Sequence, residues 1–536
     1  MAIRFCCANK PVPLGDGTGF ESIVRDLRYT LRVLAQSPGF TLTALITLTL
    51  AIGANTAIFS LLNAVLLRSL PVHEPRRLAV LSWTLDNWAD DQLTLSGYSG
   101  YEFSYPVFER FAKQQKIFSN LFGFASLGFS QCDLAVTSDG DTEPATASMV
   151  TGGYFSGLGI SPVAGRLLNE TDLQPSAPRA TVIAYAYWQK KFGGSFAVLG
   201  ESIGLNGQSC TLVGVAPPGF TGLQPGQPED LWIPVTDEVA IRPWQSGPPH
   251  GQSMFGSRQW SWLTVVGRLQ PGVSPKQAQA APEPELAAEV QDATGTRTAP
   301  ISGKQLHFDV LPGAQGLQYL LKMYERPAGI LMALVVLVLL AACANLATLL
   351  LARGSARSRE IAVRLALGAS RGQVMRQLLM ESLLLSSAGG VCGILLALAV
   401  TRSLGAIPSR GVMDVTFDLT LDHTVLAFTV GSSILTSILF GFVPALRSTH
   451  PDVNSALKGS AAGTTGAGGR SNFALDQCLA VAQAAISVFL LIGSGLFLHS
   501  FERLRNQSTG FDAQHMLVFR LTPLQNGYKI AQLPDL

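Results

Sequence analysis

Six arginines fall within residues 353–376 of this chain: Arg353, Arg357, Arg359, Arg364, Arg371 and Arg376. A single acid, Glu360, stands among them. In "RSREIAVRLALGASRGQVMRQLLMESLLL" (357–385), Glu360 and Arg364 lie one helical turn apart, a spacing that pairs them. Ile361 and Leu365 form a parallel apolar stripe at the same spacing. Gly368 suits a helix C′ position, where left-handed backbone favours glycine. Ser370 and Gln373 then carry the pattern of a capping box for the next helix. Two capped helices joined by a tight turn make a rigid docking element. Its candidate contact residues are Arg359, Glu360, Ile361, Arg364, Leu365, Gly368, Ser370 and Arg371. Arginines here also fix membrane topology, but topology requires neither caps nor an apolar stripe.

Catalytic patterns are missing. No G-x-x-x-x-G-K-[ST] occurs to cradle nucleotide phosphates, and no G-x-S-x-G elbow presents a serine. The seven histidines (73, 250, 307, 423, 450, 499 and 515) show no H-E-x-x-H or paired metal spacing. No enzyme activity, cofactor, metal or nucleic-acid partner is expected.

The elements that must carry the arginine-rich segment are apolar. Hydrophobic residues make up 47% of the 536, charged ones 14%, and mean hydropathy is +0.29. The surplus collects in five runs, 41–67, 328–351, 378–400, 424–446 and 478–498, in which Glu381 is the single charge. Each reaches the roughly 20 residues needed to cross a hydrocarbon core. The expected fold is therefore a polytopic α-helical membrane protein of five spans. A large extracytoplasmic α+β domain (68–327) lies between spans one and two. Lys/Arg bias places residues 1–40, 352–377 and 447–477 in the cytoplasm, and 401–423 and 499–536 outside.

Within residues 1–40, "ESIVRDLRYTLRVLAQ" sets Ile23, Leu27, Leu31 and Leu34 on one helical face, with Arg25, Arg28 and Arg32 elsewhere. That pattern fits an amphipathic helix lying on the bilayer, its arginines toward anionic headgroups. "SPGF" turns the chain into the first span. In the outer segment, "SYPVFERFAKQQKIFSNLFGFAS" reads as a helix with Phe108, Phe111 and Phe118 inward. "ATVIAY", "LWIPV", "WLTVVGRL" and "LHFDVL" read as strands, and "AYWQKKFG" as a helix. "SPKQAQAAPEPELAAEVQ" is helical but interrupted by prolines. Asn206-Gly207 marks a type I′ hairpin in "SIGLNGQSCTLVGV". This much chain can bury a core of its own and form two lobes. Trp188, Trp232, Trp260 and Trp262 are read as core or lobe-interface residues, and Cys132 and Cys210 as free thiols, although a disulfide is permitted outside.

"GSAAGTTGAGGR" (459–470) is a flexible linker by composition. The run 478–498 and "RLRNQSTGFDAQHMLVFRL" repeat the order of span, polar connector and strand seen after the first span. The expectation is the front half, plus a little, of a duplicated protein.

Longer motifs carry a resemblance. "DLRYTLRVLAQSPGFTLTALITLTLAIGANTAIFSLLNAVLLRSLP" resembles the N-terminal signature of MacB/FtsX-type ABC transporter permeases, in particular the duplicated Acidobacterial-type orphan permeases. "TGGYFSGLGISPVAGRLL" and "DLWIPV" resemble that family's extracytoplasmic core domain, and "REIAVRLALGASRGQVMRQLLMESLLL" its FtsX-type permease core. The resemblance implies a cytoplasmic ABC ATPase partner docking on the segment between spans two and three. It also implies a second permease half or a homo-oligomer, an inner-membrane location, room for a periplasmic partner, and substrate export or release. The reading from another class is a non-transporting signalling or scaffold protein whose outer domain binds a ligand or envelope partner.

Overall fold

A computed structural model of the protein describes residues 19–85, 100–114, 116–127, 134–138, 140–241, 253–257, 260–279, 306–356, 363, 370–405, 422–448 and 470–506. The chain divides into two units. One comprises Met1–Leu61, Pro327–Ala406 and Leu419–Phe511, the other Leu62–Arg326, Ile407–Asp418 and Asp512–Leu536.

The helical unit starts with α1 (Gly19–Ala35) and α2 (Pro38–Leu62). Pro38 opens α2 where a missing N–H costs nothing, and α2 ends in a π-helical turn, Asn63–Leu67.

The second unit is built on strands: β1 (Leu78–Leu85), β2 (Glu102–Phe103), then helix α3 (Tyr105–Gln114), β3 (Phe118–Ser126), β4 (Leu134–Ser138), β5 (Asp141–Ala145), β6 (Ala147–Val150), helix α4 (Tyr154–Leu158), β7 (Ala164–Gly165) and β8 (Ala180–Ile183). Helix α5 (Tyr185–Phe192), β9 (Ser202–Leu205), β10 (Gln208–Val215), β11 (Leu231–Pro234), α6 (Glu238–Ile241), β12 (Leu263–Leu269), α7 (Pro275–Gln279) and β13 (Leu306–Pro312) follow. Among the described residues these strands form one continuous mixed sheet, ordered β13-β1-β12-β3-β6-β11-β8-β10-β9-β4-β5. The expectation of two lobes is replaced by one sheet with one core. Every residue of β8, β11 and β12 is buried, as continuous apolar strands require when both faces are covered. At the far edge β4 alternates instead. Trp188, Trp232 and Trp262 are buried in this core, with Trp260 packed beside it.

Asn206 and Gly207 take φ of 49° and 77°, and β9 pairs β10 from Leu205 to Gln208, which is the hairpin read from Asn-Gly. The long helix expected over "SYPVFERFAKQQKIFSNLFGFAS" is corrected. It stops at Gln114, and Phe118 begins a strand. Polar residues after Ala112 end the apolar face, and Phe118, Phe122 and Phe124 then alternate as strand residues do. Phe111 still meets Phe118 edge-on at 6.3 Å. Cys210 is a buried free thiol; Cys132 lies outside the described residues.

The helical unit continues with α8 (Gln318–Ala356), α9 (Arg371–Gly405), α10 (His423–Ser448) and α11 (Arg470–Arg505). Five spans are expected, but four helices among the described residues are long and apolar enough: Pro38–Leu62, Gly329–Arg353, Gly372–Ser403 and Ala480–Arg505. The remaining run is α10, whose apolar stretch His423–Leu439 is shorter. Thr429, Ser433, Thr436 and Ser437 are buried in it.

Helix–helix contacts in this unit use small residues and hydroxyls, as lipid-embedded packing does. A Cβ on Gly53 of α2 would sit 3.1 Å from the Gly393 carbonyl oxygen of α9. A Cβ on Gly389 would sit 2.5 Å from Leu48 Cβ. Thr56 shares a hydrogen bond with Thr429 at 3.1 Å, and Ser382 with Ser437 at 3.1 Å. Phe59 stacks on Phe428 with centroids 3.9 Å apart. Asn55 Nδ2 donates to the Val335 carbonyl at 3.2 Å, so the span asparagine fastens α2 to α8.

Candidate coupling site at the base of the helix bundle

The turn between α1 and α2 is held by side chains that stand in for missing backbone bonds. Ser37 Oγ donates to the Val33 carbonyl at 3.2 Å, and Thr41 Oγ1 reaches the carbonyls of Leu34 (2.8 Å) and Ser37 (3.0 Å). Leu34 packs in the bundle core with Leu48, Leu346 and Leu385. The tip of α1 is therefore seated against α2, α8 and α9.

One guanidinium joins these elements. Arg353, in the last turns of α8, donates from Nη1 to Glu381 Oε1 of α9 at 3.0 Å. Its Nη2 donates to the Val33 carbonyl at 3.3 Å and to Ser37 Oγ. Its Cζ lies 4.4 Å from the centroid of the Phe40 ring. The two charged side chains are 14% and 9% exposed. An isolated charge at that depth is costly, so each secures the other while Arg353 fastens α1 and α2 to both. The clasp also closes the base of the intervening segment, because its partners are 28 residues apart in sequence.

That segment includes the arginine-rich motif. Arg359, Glu360, Ile361, Arg364, Leu365 and Gly368 lie outside the described residues. Ser370 and Arg371 are described. The Ser370 N–H donates to Gln373 Oε1 at 3.1 Å, and the Gln373 N–H to Ser370 Oγ at 3.3 Å. This reciprocal pair is a capping box, and Arg371 is the first residue of α9. The capping box thus fixes the start of α9. Of the α1 arginines, Arg28 and Arg32 are exposed, and Arg25 lies on the same helix. The Arg353–Glu381 clasp escaped the motif reading. Its signal was a lone acid inside an apolar run, matched by an arginine ending the preceding run. Neither is cheap in a membrane without the other.

In the sheet unit, the strand that follows α2 and the strand that precedes α8 are neighbours. β1 pairs β13 antiparallel from Ala79↔Pro312 to Leu85↔Leu306. Leu70 N–H donates to the Ala314 carbonyl at 2.8 Å, continuing the pairing below the strands. Arg268, buried in β12, donates to carbonyls of Gly157 (2.9 Å) and His73 (2.7 Å), clamping the connector after α2 to the end of α4. Desolvation lowers its pKa, but the carbonyls still satisfy its donors.

A second polar cluster lies in the sheet core. Glu229 accepts from Ser148 Oγ and, at 2.5 Å, from Trp232 Nε1. Burial pushes its carboxyl up to about 8, against the two hydrogen bonds that favour the anion. Burial also raises Glu102 to about 7. Among the described residues no cluster of His, Cys, Asp and Glu is arranged to hold a metal ion.

The described residues thus form a unit of long apolar helices, four of them long enough to cross a membrane, and a large α+β unit. Residues 41–284 match the MacB-like periplasmic core domain family, and residues 332–453 match the FtsX-like permease C-terminal family. The chain belongs to the MacB/FtsX-type permeases. It is 29% identical over 306 residues to the pyoverdine export ATP-binding/permease protein PvdT of Pseudomonas syringae pv. tomato, covering 57% of this chain and 41% of that protein. It is 37% identical over 101 residues to the macrolide export ATP-binding/permease protein MacB of Marinobacter nauticus, covering 19% and 14%. The matched part thus spans less than half the length of these relatives. The periplasmic region of MacB from Actinobacillus actinomycetemcomitans aligns with a TM-score of 0.30 at 14% identity, over 46% of this chain and 92% of that one.

Proposed function

We propose that the chain is the permease component of an ABC export system, driven by a cytoplasmic ATPase subunit that docks on residues 359–371. Hydrolysis belongs to that subunit, and this chain converts its motion into work on a substrate at the outer face. The observation that carries the reading is the Arg353–Glu381 clasp closing the base of the arginine-rich segment. A lever needs a fixed fulcrum, and a loop that only fixed topology would not. In this reading residues 1–40 and 352–377 face the cytoplasm, supported by their Lys/Arg excess, and 68–327 lie outside. A second permease half or second copy completes the pathway. Motion leaves the bundle through α2 and α8 and reaches the outer domain on two adjacent strands.

The test is co-purification. The chain is solubilised from its native membranes in mild detergent, and bound proteins are identified by mass spectrometry. An ATP-binding subunit is expected with the wild type and is lost from Leu365→Asp and Glu360→Arg, which still insert. Wild-type amounts of ATPase in either variant would remove residues 359–371 from the docking surface.

A further inference from the structure

Helix α1 presents three different faces, and only one of them touches the bundle. Thr30, Val33 and Leu34 are buried. Of the apolar stripe read from sequence, Leu34 enters that contact, Leu27 is half-buried and Leu31 is left 52% exposed. Arg28 and Arg32, one turn apart, are exposed next to Leu31, and among the described residues no acid pairs with either. A helix packed on a soluble protein would turn Leu31 inward. A helix held at the edge of a membrane bundle turns it to the acyl boundary and lifts its arginines to the headgroups.

The end of this helix is bonded to the clasp. Arg353 donates to the Val33 carbonyl, in the last turn of α1, and to Ser37, while holding Glu381 of α9. Tilting or lifting α1 moves two of the acceptors of Arg353 and so alters its hold on Glu381.

We propose that α1 is a sensor of anionic phospholipid: headgroups gathered by Arg28 and Arg32 seat α1, and the seated helix tightens the Arg353–Glu381 clasp. This rests on the coupling role given to that clasp and adds its regulation. The occupant is the charged leaflet rather than a protein, because an exposed leucine alternates with the arginines and an acidic protein surface offers no acyl layer to receive it. Each basic residue near an anionic surface is worth about a fivefold change in occupancy, so two shift the seating of α1 roughly twentyfold or more.

The test uses the full chain in vesicles of phosphatidylcholine, with and without phosphatidylglycerol, followed by amide hydrogen exchange. Phosphatidylglycerol is expected to slow exchange in residues 27–36 and, together with it, in residues 370–382. Arg28→Gln/Arg32→Gln, at exposed positions that leave the fold intact, abolishes both responses. Arg353→Gln keeps the first and loses the second. Equal exchange in the two vesicles overturns the proposal. So does slowing produced by a soluble polyphosphate added to neutral vesicles, or a response of residues 370–382 that survives in Arg353→Gln. No ATPase is present in this measurement, so a failed docking experiment and a failed lipid response are separate results.

Discussion

Arg353 and Glu381 are largely buried charges of the helical unit, and each is hydrogen-bonded to the other. Removing one partner leaves the other desolvated without its countercharge, at a cost of up to about 3–5 kcal/mol for a buried pair. Arg353→Gln and Glu381→Gln are each expected to lower the thermal unfolding temperature in detergent markedly. The double variant Arg353→Met/Glu381→Leu is expected to recover most of that loss. A double variant as unstable as the sum of the singles would mean the pair is not one energetic unit. In the sheet core, Glu229 gives a pH prediction. Burial lifts its folded carboxyl to about 8, from the ordinary carboxyl value of 4.5. Folding therefore takes up a proton between these values, so its stabilisation is complete below about 4.5 and is lost as pH rises through 8. Glu102, raised to about 7, acts in the same direction. Tryptophan fluorescence melts of the full chain at rising pH should show falling stability over this window. Glu229→Gln should flatten part of the slope.

At the scale of elements, the capping box is the part of the candidate site read directly from residue types. Ser370 and Gln373 are spaced as a cap requires, and their two bonds form. Ser370→Ala should cost about 1 kcal/mol, felt locally as faster amide exchange in the first turn of α9 rather than as global unfolding. The Asn206-Gly207 hairpin was legible for the same reason, since local chemistry decides it. Elements decided by tertiary packing were not. Residues after Gln114 keep a helical-looking spacing of phenylalanines, yet Phe118 joins a strand because β12 lies there to receive it, Leu269 opposite Phe118. Helix α1 shows its apolar stripe plainly in sequence, but Leu34 of that stripe enters the bundle while Leu31 is left exposed, a division no periodicity reports. The clasp was hidden likewise. Its two residues were visible singly, and their pairing is a property of how α8 and α9 pack.

At the scale of the whole molecule, the chain passes from α2 into the sheet unit and from the sheet unit into α8, and these two connections run to neighbouring strands. β1 follows α2, β13 precedes α8, and the ladder between them is continuous over Ala79–Leu85 and Leu306–Pro312. A motion that slid β1 along β13 would have to break this ladder. A motion that carried the two strands together would leave it whole. The continuous hydrogen bonding, the Leu70–Ala314 bond below it and the Arg268 clamp on His73 all favour the second. Ser82 stands opposite Asp309 in the ladder. Paired residues of antiparallel strands have Cα atoms about 4.5–5.5 Å apart, within the range a disulfide spans. Ser82→Cys/Asp309→Cys should therefore oxidise readily. In the chain assembled with the ATPase subunit proposed above, turnover should be the same oxidised and reduced. Turnover that collapses on oxidation and returns with reductant would show that β1 and β13 slide past each other during the cycle, and that the outer domain is worked by shear rather than carried as a unit.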